Sequence, residues 1–182
     1  IAYSALENSV LEPHKKDIEE LAAQAEAIRR AKARFESTLA SAAGKERFKI
    51  LDGSEIEGKV ASFKDGAVLF KPANKRETIS RRFFELDAVG LAALAEKSSG
   101  GKVSPQERYD AGLLLLNEGY FEEAEAQLTA AEREGIAIPP RIKNALQGNK
   151  TTGPDRRAGY LLKIARDFAA DNDHERAAAY YE

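Results

Sequence analysis

From Leu11 to Ala42, apolar or small residues return at alternating steps of three and four: Leu11, His14, Ile18, Leu21, Ala25, Ile28, Lys32, Phe35, Leu39 and Ala42. That period places one stripe on one face of a long helix, as in the seam of a coiled coil. The spacing predicts a helix over residues 11–43. Pro13 suits its first turn, where a missing N–H costs nothing, and Gly44 stands where it would end. His14 and Lys32 interrupt the stripe, and the flanking residues (Asp17, Gln24, Ala31 and Thr38; Lys15, Ala22, Arg29 and Glu36) offer few charge pairs. Two arrangements follow: a homodimer through residues 11–42, or a helix lying on the C-terminal part of its own chain.

The period changes at Arg47. "DGS" at Asp52–Ser54, "KDG" at Lys64–Gly66 and "ANKR" at Ala73–Arg76 cut residues 47–84 into four short runs. Alternation shows in Ile56, Gly58, Val60 and Ser62, then in Val68 and Phe70, then in Thr78 and Ser80. Asp-Gly supplies the positive φ that tight hairpins need. Four short, closely spaced strands predict a small SH3-like barrel, which closes on itself and hides its edges. A turn and a helix over Leu86–Lys97 follow, and then "EKSSGGKVSP", Glu96–Pro105, a linker by composition.

Beyond Ser104 the pattern is helical and repeats. Gly112 aligns with Ala165, Leu115 with Phe168, Ala124 with Ala177 and Leu128 with Tyr181, 53 positions apart. In each unit a helix is expected to end at Gly119 or Asn172, residues that tolerate a left-handed turn, and a second helix to start at once. Small residues at Gly112, Ala124 and Ala131 would let the two helices approach. Leu115, Phe121 and Leu128 would fill the space between them, leaving the glutamates wet. Between the units, "GIAIPPRIKNALQGNKTTGP" carries Pro139, Pro140 and Pro154, which forbid one continuous helix.

Composition adds limits. The chain has 182 residues, 43% of them apolar and 32% charged, and a net charge of −2, so no global field marks a nucleic-acid or membrane binder. Residues 45–82 carry ten Lys/Arg against six Asp/Glu, and residues 105–182 carry ten against fourteen. Without cysteine there is no disulfide framework, thiolate zinc site or thiol nucleophile. Beginning at Ile1, the chain is expected to be processed or trimmed, leaving a signal peptide or membrane anchor open outside it. Ending at Glu182 inside a helix, it is expected to continue with further helices in its parent.

Little catalytic chemistry is legible. His14 and His174 lack histidine partners at i+3 or i+4. Asp171, Asp173, Glu175 and Glu182 fall at positions 1, 3, 5 and 12 of a calcium loop, but Arg176 replaces the glycine at position 6. Capping of a helix is the simpler use of those acids. "GGKVS" at Gly100–Ser104 lacks the first glycine of a phosphate loop. Asn149 opens an "NKT" sequon that matters only in a eukaryotic secretory setting.

Two resemblances organise these observations. Gly58, Lys59, Val60, Asp65, Gly66, Val68, Phe70, Lys71, Leu86 and Asp87 resemble the pattern of SLA1 homology domain 1 barrels over about fifty residues. Phe48 stands where those barrels usually begin with another aromatic. The small–aromatic–small order after Ser104 resembles tetratricopeptide repeats, although their period is about 34 residues. Together they imply an α+β chain. Residues 1–44 would form the heptad helix, 45–97 an SH3-like barrel with its helix, 98–104 a linker and 105–182 a tetratricopeptide-like region. The combination also resembles envelope-associated bacterial proteins, which implies a periplasmic or cell-envelope setting.

The expected function is therefore a non-enzymatic scaffold without cofactor or metal, binding a protein partner, a peptide or a helix. The tetratricopeptide resemblance carries over a groove of Gln106, Tyr109, Leu113, Leu116 and Asn117, with Leu162, Arg166 and Ala169 in the second unit. The helix of residues 11–42 is the competing occupant of that groove. The alternative function is a nucleic-acid-binding accessory protein that uses the basic hairpin Lys71, Lys75, Arg76, Arg81 and Arg82, which has few aromatics for base stacking.

Overall fold

The computed structural model describes residues 13–42, 46–64, 66–73, 76–149 and 153–180. Leu11, Gly44, Asp65, Lys75, Lys150, Thr151, Tyr181 and Glu182, used above, lie outside those residues. The architecture is α+β: a long helix, a four-stranded antiparallel sheet, then several helices. No helix among the described residues is long and apolar enough to cross a membrane.

Helix α1 spans Lys15–Ser41 and buries Ala27, Ala31, Phe35 and Leu39, a constant step of four. The predicted seam alternated three and four. A step of four slides round a helix of 3.6 residues per turn, so the inward face rotates along α1. Ala27 packs among the later helices, whereas Ala31, Phe35 and Leu39 join the core over the sheet. Leu21, on the predicted seam, is 46% exposed and Ala25 is exposed. The inward face from Ala27 onward is thus buried within one chain, and among the described residues the seam positions left for a second copy lie around Ile18 and Leu21.

Strands β1 (Glu46–Lys49), β2 (Glu55–Lys64), β3 (Ala67–Pro72) and β4 (Ile79–Arg82) form a meander in sequence order. Phe48 faces Ile56 across β1–β2, and Val60 faces Phe70 across β2–β3, with a bulge between Val60 and Ser62. After β4 a 3-10 turn, Phe83–Glu85, leads the chain back toward the first strand. Leu51 N–H donates to Glu85 O (2.8 Å), Asp87 N–H donates to Lys49 O (3.0 Å), and Ile50 and Leu86 form a bridge. Both ends of the meander are thereby hydrogen-bonded to each other.

Helix α2, Ala88–Ser98, is capped by Asp87, whose side chain accepts from Gly90 N–H. Helix α3, Pro105–Asn117, starts at a reciprocal cap between Ser104 and Glu107. One core cluster draws Phe35 and Leu39 from α1, Phe48, Val68 and Phe70 from the sheet, Leu91 from α2 and Leu114 from α3.

Helix α4, Phe121–Arg133, folds back on α3. At the turn Gly119 takes φ 84°, and Tyr120 N–H donates to Leu115 O (2.9 Å). Helices α6 (Gly153–Ala170) and α7 (His174–Ala179) repeat this turn 53 residues later. There Asn172 takes φ 60°, and Asp173 N–H donates to Phe168 O (2.9 Å). The two predicted left-handed turns thus share one hydrogen-bond pattern. Between the hairpins, the segment expected only to interrupt the helices contains helix α5, Pro140–Asn149. Pro140 stands in its first turn, where proline initiates rather than breaks. Ile138 and Ile142 pack it onto Leu113 and Leu128.

Gly112 lies where α3 meets α4, and a Cβ there would sit 2.7 Å from Leu128 Cγ. Leu128 is fully buried and cannot swing away. Gly112→Ala is expected to cost about 1–3 kcal/mol by overpacking, outweighing the ~1 kcal/mol gained in helix propensity. Urea unfolding of both proteins would measure it, and unchanged stability would mean that α3 and α4 are less tightly apposed.

Candidate functional site

Helix α1 lies along α3 and is held there by charge. The Arg30 guanidinium donates to both oxygens of Asp110 (2.7 Å each), a carboxylate only 5% exposed. Gln106 Nε2 donates to the same group (2.8 Å), and Arg34 pairs with Glu107 (3.0 Å). Below these pairs Tyr109 and Leu113 pack against Ala27 and Ile28. The first part of the expected groove is therefore filled by the chain's own helix, the competing arrangement drawn from the sequence.

Past that contact the groove reopens as a cleft of about 640 Å³ between α1, α3, α5 and α6. Its apolar surface comes from Ile28, Leu113, Leu116, Phe121 and Tyr160, and its polar groups are Gln24, Asn117 and Lys163. Leu113, Leu116 and Asn117 of the expected groove line it; Gln106, Tyr109, Leu162 and Arg166 do not. Leu162 is half-buried elsewhere on α6, Ala169 packs in the core of the second hairpin, and Arg166 is exposed. Gln24 Nε2 is buried without an acceptor among the described residues. The lining holds no carboxylate and no imidazole, so it offers an apolar floor with hydrogen-bond donors rather than an acid–base pair.

Behind the cleft runs a buried polar seam. Arg157 of α6 donates to Glu118 O (2.7 Å) and to Tyr120 Oη (2.6 Å), and its guanidinium lies 4.0 Å from the Tyr120 ring centre. Tyr120 in turn donates to Asp87 (2.6 Å). The Glu118 side chain is 4% exposed, and its Oε2 has no donor among the described residues. Burial pushes the Glu118 carboxyl up to about 7, against the attraction of Lys32 and Arg157 and a hydrogen bond from Tyr160. Burial also raises the Tyr120 and Tyr160 phenols, which stay protonated donors.

The basic hairpin is divided. Lys71 and Arg76 are exposed, with Lys59 opposite Lys71 in the ladder. Arg82 pairs with Asp171 and lies 5.3 Å from the Phe168 ring centre, so it holds the second helical hairpin. Arg81 stands 3.8 Å from Glu85, a carboxylate 1% exposed that also faces Arg176 (3.7 Å) and accepts from Tyr180 Oη (3.4 Å). Asp173, considered above for calcium, caps α7 by accepting from Arg176 N–H. Among the described residues no group of three or more acidic or histidine side chains is placed to hold a metal ion.

Gln24, Ile28, Phe121, Tyr160 and Lys163 complete the cleft and were not expected there. Ile28 had a signal in the heptad stripe, and Phe121 in the helical pattern, which assigned it to the space between α3 and α4, whereas it is half-buried and lines the cleft. Compared with protein-family models, with curated proteins and with solved structures, the chain matches none.

Removing the α1 clamp tests this arrangement. Arg30→Ala leaves Asp110 buried with only Gln106 as partner and is expected to lower stability by about 1–3 kcal/mol. Arg30 is itself partly in water, so the loss stays below that of a fully buried pair. A change under about 0.5 kcal/mol in denaturant unfolding would show that α1 is held by its apolar face alone.

Proposed function

We propose that the chain is a non-catalytic interaction scaffold in which a small SH3-like barrel carries tetratricopeptide-like helical hairpins, and that the cleft receives a peptide or helix. One observation carries the reading: α1 fills the near part of the groove and leaves the far part open, about half apolar, with Gln24 Nε2 unpaired among the described residues. The matched turns at Gly119 and Asn172 support the repeat, and the tie between Ile50 and Leu86 supports a closed barrel of the SLA1 homology domain 1 type. A fitting partner segment buries apolar side chains against Leu113, Leu116 and Phe121. It would also bring acceptors, carbonyl or carboxylate, to Gln24 and Lys163. The nucleic-acid reading has less support, because Arg81 and Arg82 are engaged by Glu85 and Asp171.

Gly159 provides a clean obstruction. It lines the cleft from α6, and a Cβ built there meets nothing within 4 Å. Gly159→Trp is therefore expected to fill the cleft without disturbing the core. Peptides selected from a random library on the full chain should lose at least about tenfold in affinity for this variant, measured by fluorescence anisotropy, with unfolding unchanged. Peptides that bind both proteins equally would place recognition outside the cleft.

A further inference from the structure

We propose that Glu118 is a proton-operated latch for α6. Protonated, it lets Arg157 and Tyr160 hold α6 as one wall of the cleft; ionised, it releases that wall.

The geometry rests on how differently the two helical hairpins are attached. The first shares continuous apolar cores with α1, the sheet and α5. The second has its own small core of Ile164, Ala165, Phe168, Ala177 and Tyr180, on which Leu51 and Phe84 pack near Phe168, and among the described residues α6 packs extensively only on α7. Near the start of α6, attachment runs through the polar seam. Arg157 reaches the α3–α4 turn because Gly119 has no side chain there: a Cβ would sit 3.2 Å from Arg157 Cα. At the other end of the hairpin, Arg82–Asp171 and the Arg176 bond to Ser80 O (3.0 Å) anchor it to the sheet. Release of the seam therefore swings α6 rather than freeing the hairpin.

Glu118 is placed so that ionisation strains this contact. Its carboxyl faces Lys32 of α1, Arg157 and Tyr160 of α6, Asp87 ahead of α2, and the neighbouring Tyr120. Lys32 and then Arg157 attract the ionised carboxyl, but burial outweighs both, and Arg157's hydrogen bonds go to the Glu118 carbonyl and to Tyr120 Oη with its face on the Tyr120 ring. Ionisation thus places a charge on a carboxyl that keeps the Tyr160 hydrogen bond but whose Oε2 has no donor among the described residues, in a site closed to water. Asp87 adds like-charge repulsion. Moving α6 outward admits water to that oxygen. Moving α3 would require breaking the main core. The wall that moves carries Tyr160, Gly159 and Lys163, so the latch sets the width of the cleft.

The sign follows from linkage. Docking raises the carboxyl from its ordinary 4.5 to about 7, so the docked form binds the proton more tightly. Its stabilisation of docking is full below about 4.5, declines as pH rises and is gone above about 7. The ratio of docked to released α6 should fall roughly thirtyfold between pH 5.5 and 8.5.

The chain has no cysteine, so Ala25→Cys on α1 and Arg166→Cys on α6, both at exposed positions, accept spin labels selectively. Double electron–electron resonance on the full chain should give one narrow distance at pH 5.5. At pH 8.5 a longer, broader population should have grown in, most of the change coming between pH 5.5 and 7. Glu118→Gln, neutral at every pH, should keep the narrow distance throughout. A wild-type distance that ignores pH, or a Glu118→Gln protein that shifts like wild type, overturns the latch. Should Glu118→Gln fail to fold, side-chain carboxyl ¹³C titration of the unlabelled wild type decides: a Glu118 midpoint with the ordinary glutamates overturns it as well.

Discussion

Helix α1 must bury two faces at once, and most of the molecule is arranged to let it. Its inward residues step by four, which turns the buried face from the first helical hairpin at Ala27 to the sheet at Phe35 and Leu39. A single partner helix would cover only one line of contact. A sheet on one side and α3 on the other cover the rotating face, and small residues at Ala27 and Ala31 let α3 come close. The sheet gains as well: Phe48, Ile56 and Phe70 need a lid, and α1 with α2 supplies it. Sheet and hairpin are joined through this shared core more than through the short connection in sequence.

The second hairpin obeys a different rule. It meets the rest of the chain partly through polar contacts, Arg157 with the Glu118 carbonyl and Tyr120 at one end and Arg176 with Glu85 at the other, and partly through Leu51 and Phe84, which pack on its core. Apolar contacts tolerate small displacements, whereas a buried charge network is either satisfied or costly. With Phe84, Leu51 and the Glu85 contacts holding one end, loss of the polar seam at the other lets α6 pivot while the hairpin stays attached. The first hairpin, sunk in the main core, has no comparable freedom.

The elements announced by period and turn chemistry were legible in the sequence. Four strands appeared where Asp-Gly and polar turns cut the β-rich runs, and Gly119 and Asn172 took the left-handed turns that their residue types permit. What failed to show were contacts made by residues far apart. The heptad reading put Lys32 on the seam and left out Ala27 and Ala31, because alanine is nearly silent in a hydrophobicity pattern while mattering most where backbones approach. Helix α5 was hidden by prolines that read as breakers yet serve its first turn. Arg81 and Arg82 looked like part of a solvated basic hairpin, since nothing local reveals Asp171, which lies 89 residues further on. Glu118, before a glycine at a helix end, has the sequence context of an exposed residue; the groups around it in the fold, Lys32, Asp87, Arg157 and Tyr160, come from elements distant in sequence.

These differences explain why the cleft lies where it does. A helical hairpin of this kind has two faces to cover and is stable only when something is stacked on each. In this chain α1 and α5 do so for the first hairpin, using apolar residues from both. Their cover thins at Leu116 and ends before Asn117, and α6 borders the gap without filling it because Gly159, at its edge, has no side chain. A larger residue there would complete the core and remove the cleft. The opening is thus left at the junction of a fixed apolar seam and a releasable polar one, where occupancy and the position of α6 must affect each other.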